Sequence, residues 1–214
     1  MGDPPRGRGR ESMKAKRPGQ ARKKKVTVTR PEARFCPLCG TRMRAIVEHH
    51  VTRRGCPKCG FIAYRNPVPA CGVVIEKGGS VLLARRAHEP RLGCWGIPAG
   101  FMEYGEHPET TAVREALEET GLRVKLTGLF GVYAGRDDPR TRAVLILYHA
   151  RVVGGRLEAG DDASEVGYYP LDWLPRPIAF RAHREALRDL KRLMTSRGRK
   201  RTASWGRWHG SPSR

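Results

Sequence analysis

The sequence predicts an α/β domain preceded by a small, cysteine-held module. Three observations predict it. Two Cys-x2-Cys pairs, Cys36/Cys39 and Cys56/Cys59, stand 16 residues apart. β-rich runs lie before and after a stretch rich in alanine and glutamate, Pro108–Thr120, so strands and helices alternate along the chain. A last stretch, Ile178–Met194, spaces Ala182, Ala186, Leu187, Leu190, Leu193 and Met194 by threes and fours, as an amphipathic helix does.

The chain of 214 residues carries a formal charge of +21, unevenly spread. Residues 1–34 hold 12 Lys/Arg against 3 Asp/Glu, and residues 195–214 hold 6 Lys/Arg and no acid. Both ends are rich in Arg, Gly, Pro and Ser without apolar periodicity, which predicts disordered basic tails at 1–34 and 195–214. Arms such as Arg22–Lys25 and Arg197–Arg201 suit non-specific contact with nucleic acid, with Trp205 and Trp208 available for base stacking. No apolar run approaches the ~18 residues that a membrane span needs, and no apolar leader follows Met1. The expectation is a cytoplasmic protein with no membrane partner.

Residues 35–63 read as a zinc ribbon. Each Cys-x2-Cys closes a tight turn aiming two thiolates at one ion, and Gly40 and Gly60 supply the positive φ such knuckles use. Four thiolates, Cys36, Cys39, Cys56 and Cys59, make a closed structural Zn²⁺ site, and cysteine pairs without a secretory context argue metal before disulfides. Arg44–Val47 and His50–Thr52 are the strands of a small hairpin, with His49 and His50 at the surface. Tyr64–Pro69 is a short, proline-stiffened connector.

The main domain spans 68–194. Ala70–Glu76 and Val81–Arg86 flank Lys77-Gly78-Gly79-Ser80, a hairpin signature; Cys71 falls in the first strand as a core residue. The helix runs from Pro108, suited to a first turn, to Thr120, with Gly121 as its stop. Ala112, Val113, Ala116 and Leu117 form the face expected to pack inward. Arg123–Tyr133 and Ala143–Val153 are long strands joined by a polar loop over 134–142. Glu158–Glu165 reads as an acidic loop before a strand at Val166–Tyr169, and the Ile178–Met194 helix closes the domain.

Glu115, Glu118 and Glu119 sit at i, i+3 and i+4, which on a helix stacks three carboxylates on one face. Like charges that close together need a counterion, and hard oxygen donors suit Mg²⁺ or Mn²⁺. The whole stretch Gly100–Leu122, GFMEYGEHPETTAVREALEETGL, resembles the Nudix box, Gly-x5-Glu-x7-Arg-Glu-U-x-Glu-Glu-x-Gly-U with U a bulky aliphatic residue. Leu122 fills the second U and the smaller Ala116 the first. Seven fixed positions, each filled at roughly 5–7% by composition, put a chance match at about one in 10⁸ per start site. Trp95–Gly100 resembles the family's Trp-x-x-Pro-Gly-Gly lead-in, with Ala99 in place of the first Gly of its final pair.

The resemblance implies a Nudix-type α/β/α sandwich with a mixed sheet, and hydrolysis of a nucleoside diphosphate linked to another moiety. It implies Glu115, Glu118 and Glu119 as Mg²⁺ ligands, with the Gly100 carbonyl as a further donor, and Glu106 and Arg114 as an ion pair that orients them. Glu115 within the box, or Glu165 from the later acidic stretch, is the expected general base. The ribbon and connector resemble the zinc-ribbon members that act on ADP-ribose, FAD and NADH; a homodimer is allowed. The Ser-Gln-Pro-Trp signature of the NADH-specific members is missing after the box. Gly131-Val132-Tyr133 and the loop around Pro139 resemble the ADP-ribose pyrophosphatases instead. The expected substrate is ADP-ribose or a related dinucleotide. Hydrolysis of an RNA 5′ end, a cap or a nucleoside triphosphate is the alternative reaction, and a nucleic-acid-binding ribbon protein with a non-catalytic Nudix domain is the alternative of another class.

Overall fold

The computed structural model describes residues 33–138, 141–160 and 162–203, with side chains described as far as residue 196. The expected N-terminal tail up to residue 32, the tail from 204 onward, and Pro139 all lie outside the described residues. Among the described residues no helix is long and apolar enough to cross a membrane.

The elements are β1 (Arg44–Glu48), β2 (Val51–Gly55), β3 (Ile62–Ala63), β4 (Val68–Lys77), β5 (Ser80–Arg86), β6 (Trp95–Gly96), β7 (Ala99–Phe101), α1 (Pro108–Thr120), β8 (Leu122–Gly135), β9 (Ala143–Gly155), β10 (Ala163–Pro170) and α2 (Arg181–Ala203). β1, β2 and β3 form a separate three-stranded sheet. Its turn residues His49 and His50 both have positive φ and are exposed, so His50 lies in the turn, outside the strand expected for it. This module has its own small apolar cluster, Cys36, Met43 and Cys56 with Phe61 against them, distinct from the two clusters of the main domain. Tyr64 ties the connector back to the hairpin through Glu48 Oε1, 3.0 Å away, and Arg53 lies over its ring.

The main sheet runs in the order β10-β5-β4-β9-β8, with β6 on β5 and β7 on β4. β4 and β9 are parallel over eight residue pairs and their other neighbours antiparallel, so the sheet is mixed. Side chains alternate across a strand, and β4 uses both faces. Ala70 and Val74 join Leu145, Leu147, Ala186, Leu187 and Leu190 under α2. Cys71, Val73 and Ile75 join Leu82, Ala112, Ala116 and Leu122 under α1. One helix therefore covers each face, which is the α/β/α sandwich.

α1 spans Pro108–Thr120 as expected, with Gly121 in the left-handed region at φ 69° donating its N–H to the Leu117 carbonyl. Its buried face differs from the expected one. Ala112 and Ala116 are buried, but Val113 and Leu117 are exposed, and Thr111 and Thr120 take the inner positions. Both threonine hydroxyls bond the carbonyl four residues back, His107 and Ala116, so they enter the core with their polar atoms satisfied. β10 begins at Ala163, so Glu165 lies in the strand and not in the loop before it. α2 starts at Arg181, three residues later than expected, and continues to Ala203, into the stretch expected to be a tail. The ladder carries on because no proline or capping glycine interrupts residues 191–197, and Thr195 and Ser196 bond back to Lys191 and Leu193. Leu193, expected on the buried side, is exposed.

Candidate active site

A cleft of about 260 Å³ opens between the N-terminal part of α2, the β6–β7 segment and the glutamate face of α1. Two features of the backbone build it. β7 pairs with β4 so that Gly72 stands opposite Ala99, where a side chain at 72 would meet the Pro98 carbonyl and the Ala99 methyl. Gly100 in turn faces α1 so closely that a Cβ there would occupy the space of the Glu115 carboxyl group. The glycine is required for contact with the carboxylate, not for an unusual φ.

Arg114 holds the acidic cluster in place. Its guanidinium meets Glu106 through two parallel bonds, Nε to Oε1 at 2.9 Å and Nη2 to Oε2 at 3.0 Å. Nη1 donates to Glu115 Oε1 and Glu118 Oε2, both at 2.8 Å, and Nη2 also reaches the Phe101 carbonyl. The paired guanidinium beside Glu106, helped by the Glu103 N–H, draws that carboxyl down to about 2. Glu106 and Arg114 thus form the expected ion pair, and the arginine additionally grips two of the three candidate ligands.

Glu119 is the most enclosed of the three. Its Oε2 accepts the Ala99 N–H at 3.1 Å. Burial, then the neighbouring Glu115 charge, pushes its carboxyl up to about 8. Burial likewise raises Glu115, against the pull of Arg114. Two desolvated carboxylates facing one cleft are costly as anions unless a cation joins them. With the backbone at Gly100 they make a hard oxygen donor set, so the residues present fit a divalent ion of the Mg²⁺ type. Glu118 is exposed, turned onto Arg114 and away from the cleft lining.

Glu165 does not join this site. Its carboxylate is exposed beside Arg85 Nη1 at 3.4 Å and accepts from Tyr169 at 3.4 Å, outside the cleft lining. The later acid that does line the cleft is Asp162, three residues earlier, which also contributes to the raised state of Glu115 and Glu119. Asp162 was hidden in sequence among the acids of 158–165. Glu103 and His183 also line the cleft without having been singled out. His183 gave little signal, since one histidine on an amphipathic helix reads as surface.

A second cluster lies in the N-terminal module. The Sγ atoms of Cys36, Cys39, Cys56 and Cys59 all lie within 4.8 Å of one another, with Cys36–Cys59 and Cys39–Cys56 at 3.5 Å. None is in a disulfide. Gly40 and Gly60, at φ 68° and 76°, return their N–H groups to the Cys36 and Cys56 carbonyls and close the two knuckles. The spacing approaches the ~3.8 Å between sulfurs of a tetrahedron with 2.3 Å metal–sulfur bonds. Contact with the Thr41 hydroxyl, 3.4 Å from its Sγ, and with the Thr41 backbone holds the Cys39 thiol down at about 6, favouring the thiolate that a metal needs.

Comparison with known proteins agrees with this geometry. A family model described as the NUDIX domain matches residues 65–190. An ADP-ribose pyrophosphatase of Methanocaldococcus jannaschii is 42% identical over 130 residues, 60% of this chain and 76% of that protein. An NAD-capped RNA hydrolase NudC of Pseudomonas aeruginosa is 36% identical over 160 residues, 73% of this chain. The chain spans only 55% of that relative's length. Among solved structures, a NUDIX hydrolase from Nitrosomonas europaea superposes with a TM-score of 0.63 at 34% identity, over 72% of this chain and 88% of that one.

Proposed function

Since the chain belongs to the Nudix hydrolase family, we propose that it hydrolyses the pyrophosphate linkage of ADP-ribose, giving AMP and ribose 5-phosphate. The observation that carries the chemistry is the pair of desolvated carboxylates, Glu115 and Glu119, facing one cleft across Gly100. The choice of substrate rests on the archaeal relative, named for ADP-ribose and covered over three quarters of its length.

Glu115, Glu119 and the Gly100 carbonyl, with Glu118 once it turns from Arg114 into the cleft, would hold Mg²⁺ or Mn²⁺. Such an ion, when bound, neutralises phosphate charge and acidifies coordinated water. The chain's own groups do the rest. Arg114 keeps the glutamates in register and leaves Glu106 fully ionised as its anchor. Glu115 lines the cleft where Glu165 does not, so we assign proton acceptance to Glu115: it takes a proton from water as the water oxygen bonds phosphorus. The bond from that phosphorus to the bridging oxygen breaks, and the departing phosphate keeps the electron pair. In the N-terminal module the four cysteines would hold Zn²⁺ as a structural ion.

A panel of ADP-ribose, NADH, FAD, nucleoside triphosphates and NAD-capped RNA, each with Mg²⁺, tests the reading. Fastest release of AMP from ADP-ribose is the expected result. The Pseudomonas relative, with the basic residues of 1–34, favours NAD-capped RNA as the second reading. Under that reading, removing those residues slows the RNA substrate far more than ADP-ribose.

A further inference from the structure

The N-terminal module is strongly basic. Residues 33–65 hold seven Lys/Arg against one acid, Glu48. A Zn²⁺ on four thiolates would offset only about two of those charges. Glu48 is already engaged: its Oε2 pairs with Arg53 Nε at 3.1 Å, and its Oε1 accepts from Tyr64 at 3.0 Å. Arg54 donates to the Ala33 and Met43 carbonyls. Arg34, Arg42, Arg44, Lys58 and Arg65 are exposed, and none has an acidic partner among the described residues.

Two of these free arginines share one side of the small sheet with two aromatic rings. Phe35 forms an antiparallel bridge with Arg42, so their side chains stand together. Phe35 is 62% exposed while Cys36 beside it is buried, and Arg42 and Arg44 are exposed on either side of buried Met43. That alternation puts Phe35, Arg42 and Arg44 on the outer side. β1 and β2 continue it, with Arg44 opposite Gly55 and Ile46 opposite Arg53. Arg53 lies over the Tyr64 ring, 4.6 Å from its centroid, and Tyr64 is still 54% exposed. The outer side therefore carries an exposed ring at each end, with Arg42 and Arg44 along the line that joins them.

Guanidinium groups without an acidic partner suit phosphate oxygens, which they grip as forks. Exposed rings suit the faces of unpaired bases, whatever the base. A single-stranded nucleic acid offers both groups, alternating along one chain. A duplex keeps its base faces stacked on one another, and an acidic peptide would use the arginines and leave the rings idle.

We infer that the outer side of this sheet, Phe35, Arg42, Arg44 and Tyr64, is a docking surface for single-stranded nucleic acid, bound without sequence preference. The inference goes beyond the proposed function and holds whichever substrate the cleft takes.

The test uses the full chain, both basic ends included, and a fluorescein-labelled oligouridylate of about twelve nucleotides read by anisotropy. Phe35→Ala is expected to weaken binding roughly tenfold, and Phe35→Trp to restore it. Arg42→Gln/Arg44→Gln is expected to lower the slope of log affinity against log salt by about 1.4, the share of two phosphate contacts. Lys125→Gln/Arg151→Gln removes two exposed cations from the main sheet and leaves affinity within about twofold. Inorganic polyphosphate of the same charge, which has no bases, binds the parent and Phe35→Ala alike. The inference is overturned if Phe35→Ala with an unchanged thermal midpoint binds the strand as the parent does, or if it loses polyphosphate as far as it loses the strand. It is equally overturned if the main-sheet pair falls as far as the Arg42/Arg44 pair, or if a duplex of the same length binds more tightly than the single strand. Should Phe35→Ala fail to fold, the two paired-charge variants decide between these outcomes.

Discussion

Arg114 concentrates more of the site than any other side chain, because one guanidinium orders Glu106, Glu115 and Glu118 at once. A lysine can replace its charge but not its fork. Arg114→Lys is therefore expected to weaken Mg²⁺ dependence by ~10–100-fold while leaving much of kcat at saturating metal; an unchanged Mg²⁺ titration contradicts this. The ion pair was legible in the sequence because the spacing of Glu106 and Arg114 belongs to the box. The turn of Glu118 onto Arg114 was not legible, since spacing on a helix fixes a face but not a rotamer. His183 supports a second expectation. Its folded value of about 4 lies below the ordinary 6.5, so the folded state favours the neutral ring. The stabilisation is fully present above pH ~6.5 and is lost as pH falls through 6.5 towards 4, where the unfolded chain binds about one more proton. Stability measured against pH should be flatter across that window in His183→Gln than in the parent; equal slopes refute the assignment.

At the scale of elements, the helix ends decide how the two walls of the cleft stand. Gly121 closes α1 at φ 69°, and a methyl group there would meet the Arg156 carbonyl. Gly121→Ala is expected to cost about 1 kcal/mol or more from the left-handed conformation alone, read as a lower midpoint in urea unfolding. This stop was visible in the sequence. The start of α2 was not. Its first N–H, on Arg181, is capped by the Asp137 carboxylate at 3.1 and 2.9 Å, from the loop after β8 and 44 residues earlier. A cap supplied from so far along the chain leaves no local signature. Asp137→Ala should destabilise the protein by roughly 1 kcal/mol, and an unchanged unfolding midpoint contradicts it. The inner face of α1 departs from the expected one for a related reason. Thr111 and Thr120 look polar in sequence, yet their hydroxyls are satisfied by the preceding turn, so they pack inside while Val113 and Leu117 face out.

For the molecule as a whole, the strands of the sandwich were legible because β4 is apolar on both faces and Lys77–Ser80 marks its hairpin. The parallel pairing of β4 with β9 was not, because register between strands about 75 residues apart is settled by the packing of both helices. The two sets of candidate ligands, the thiolates Cys36, Cys39, Cys56 and Cys59 and the carboxylates of α1, suit different ions and separate in experiment. A chelator strong enough to strip Zn²⁺ should unfold the β1–β3 module, which has only a few buried side chains of its own. The measurement that most directly tests the central claim is Mg²⁺-dependent release of AMP from ADP-ribose by the parent and by Glu118→Gln/Glu119→Gln. A site built on these carboxylates gives a fall of at least about a thousandfold in the double variant, with its fold retained; equal turnover by a folded double variant would contradict it.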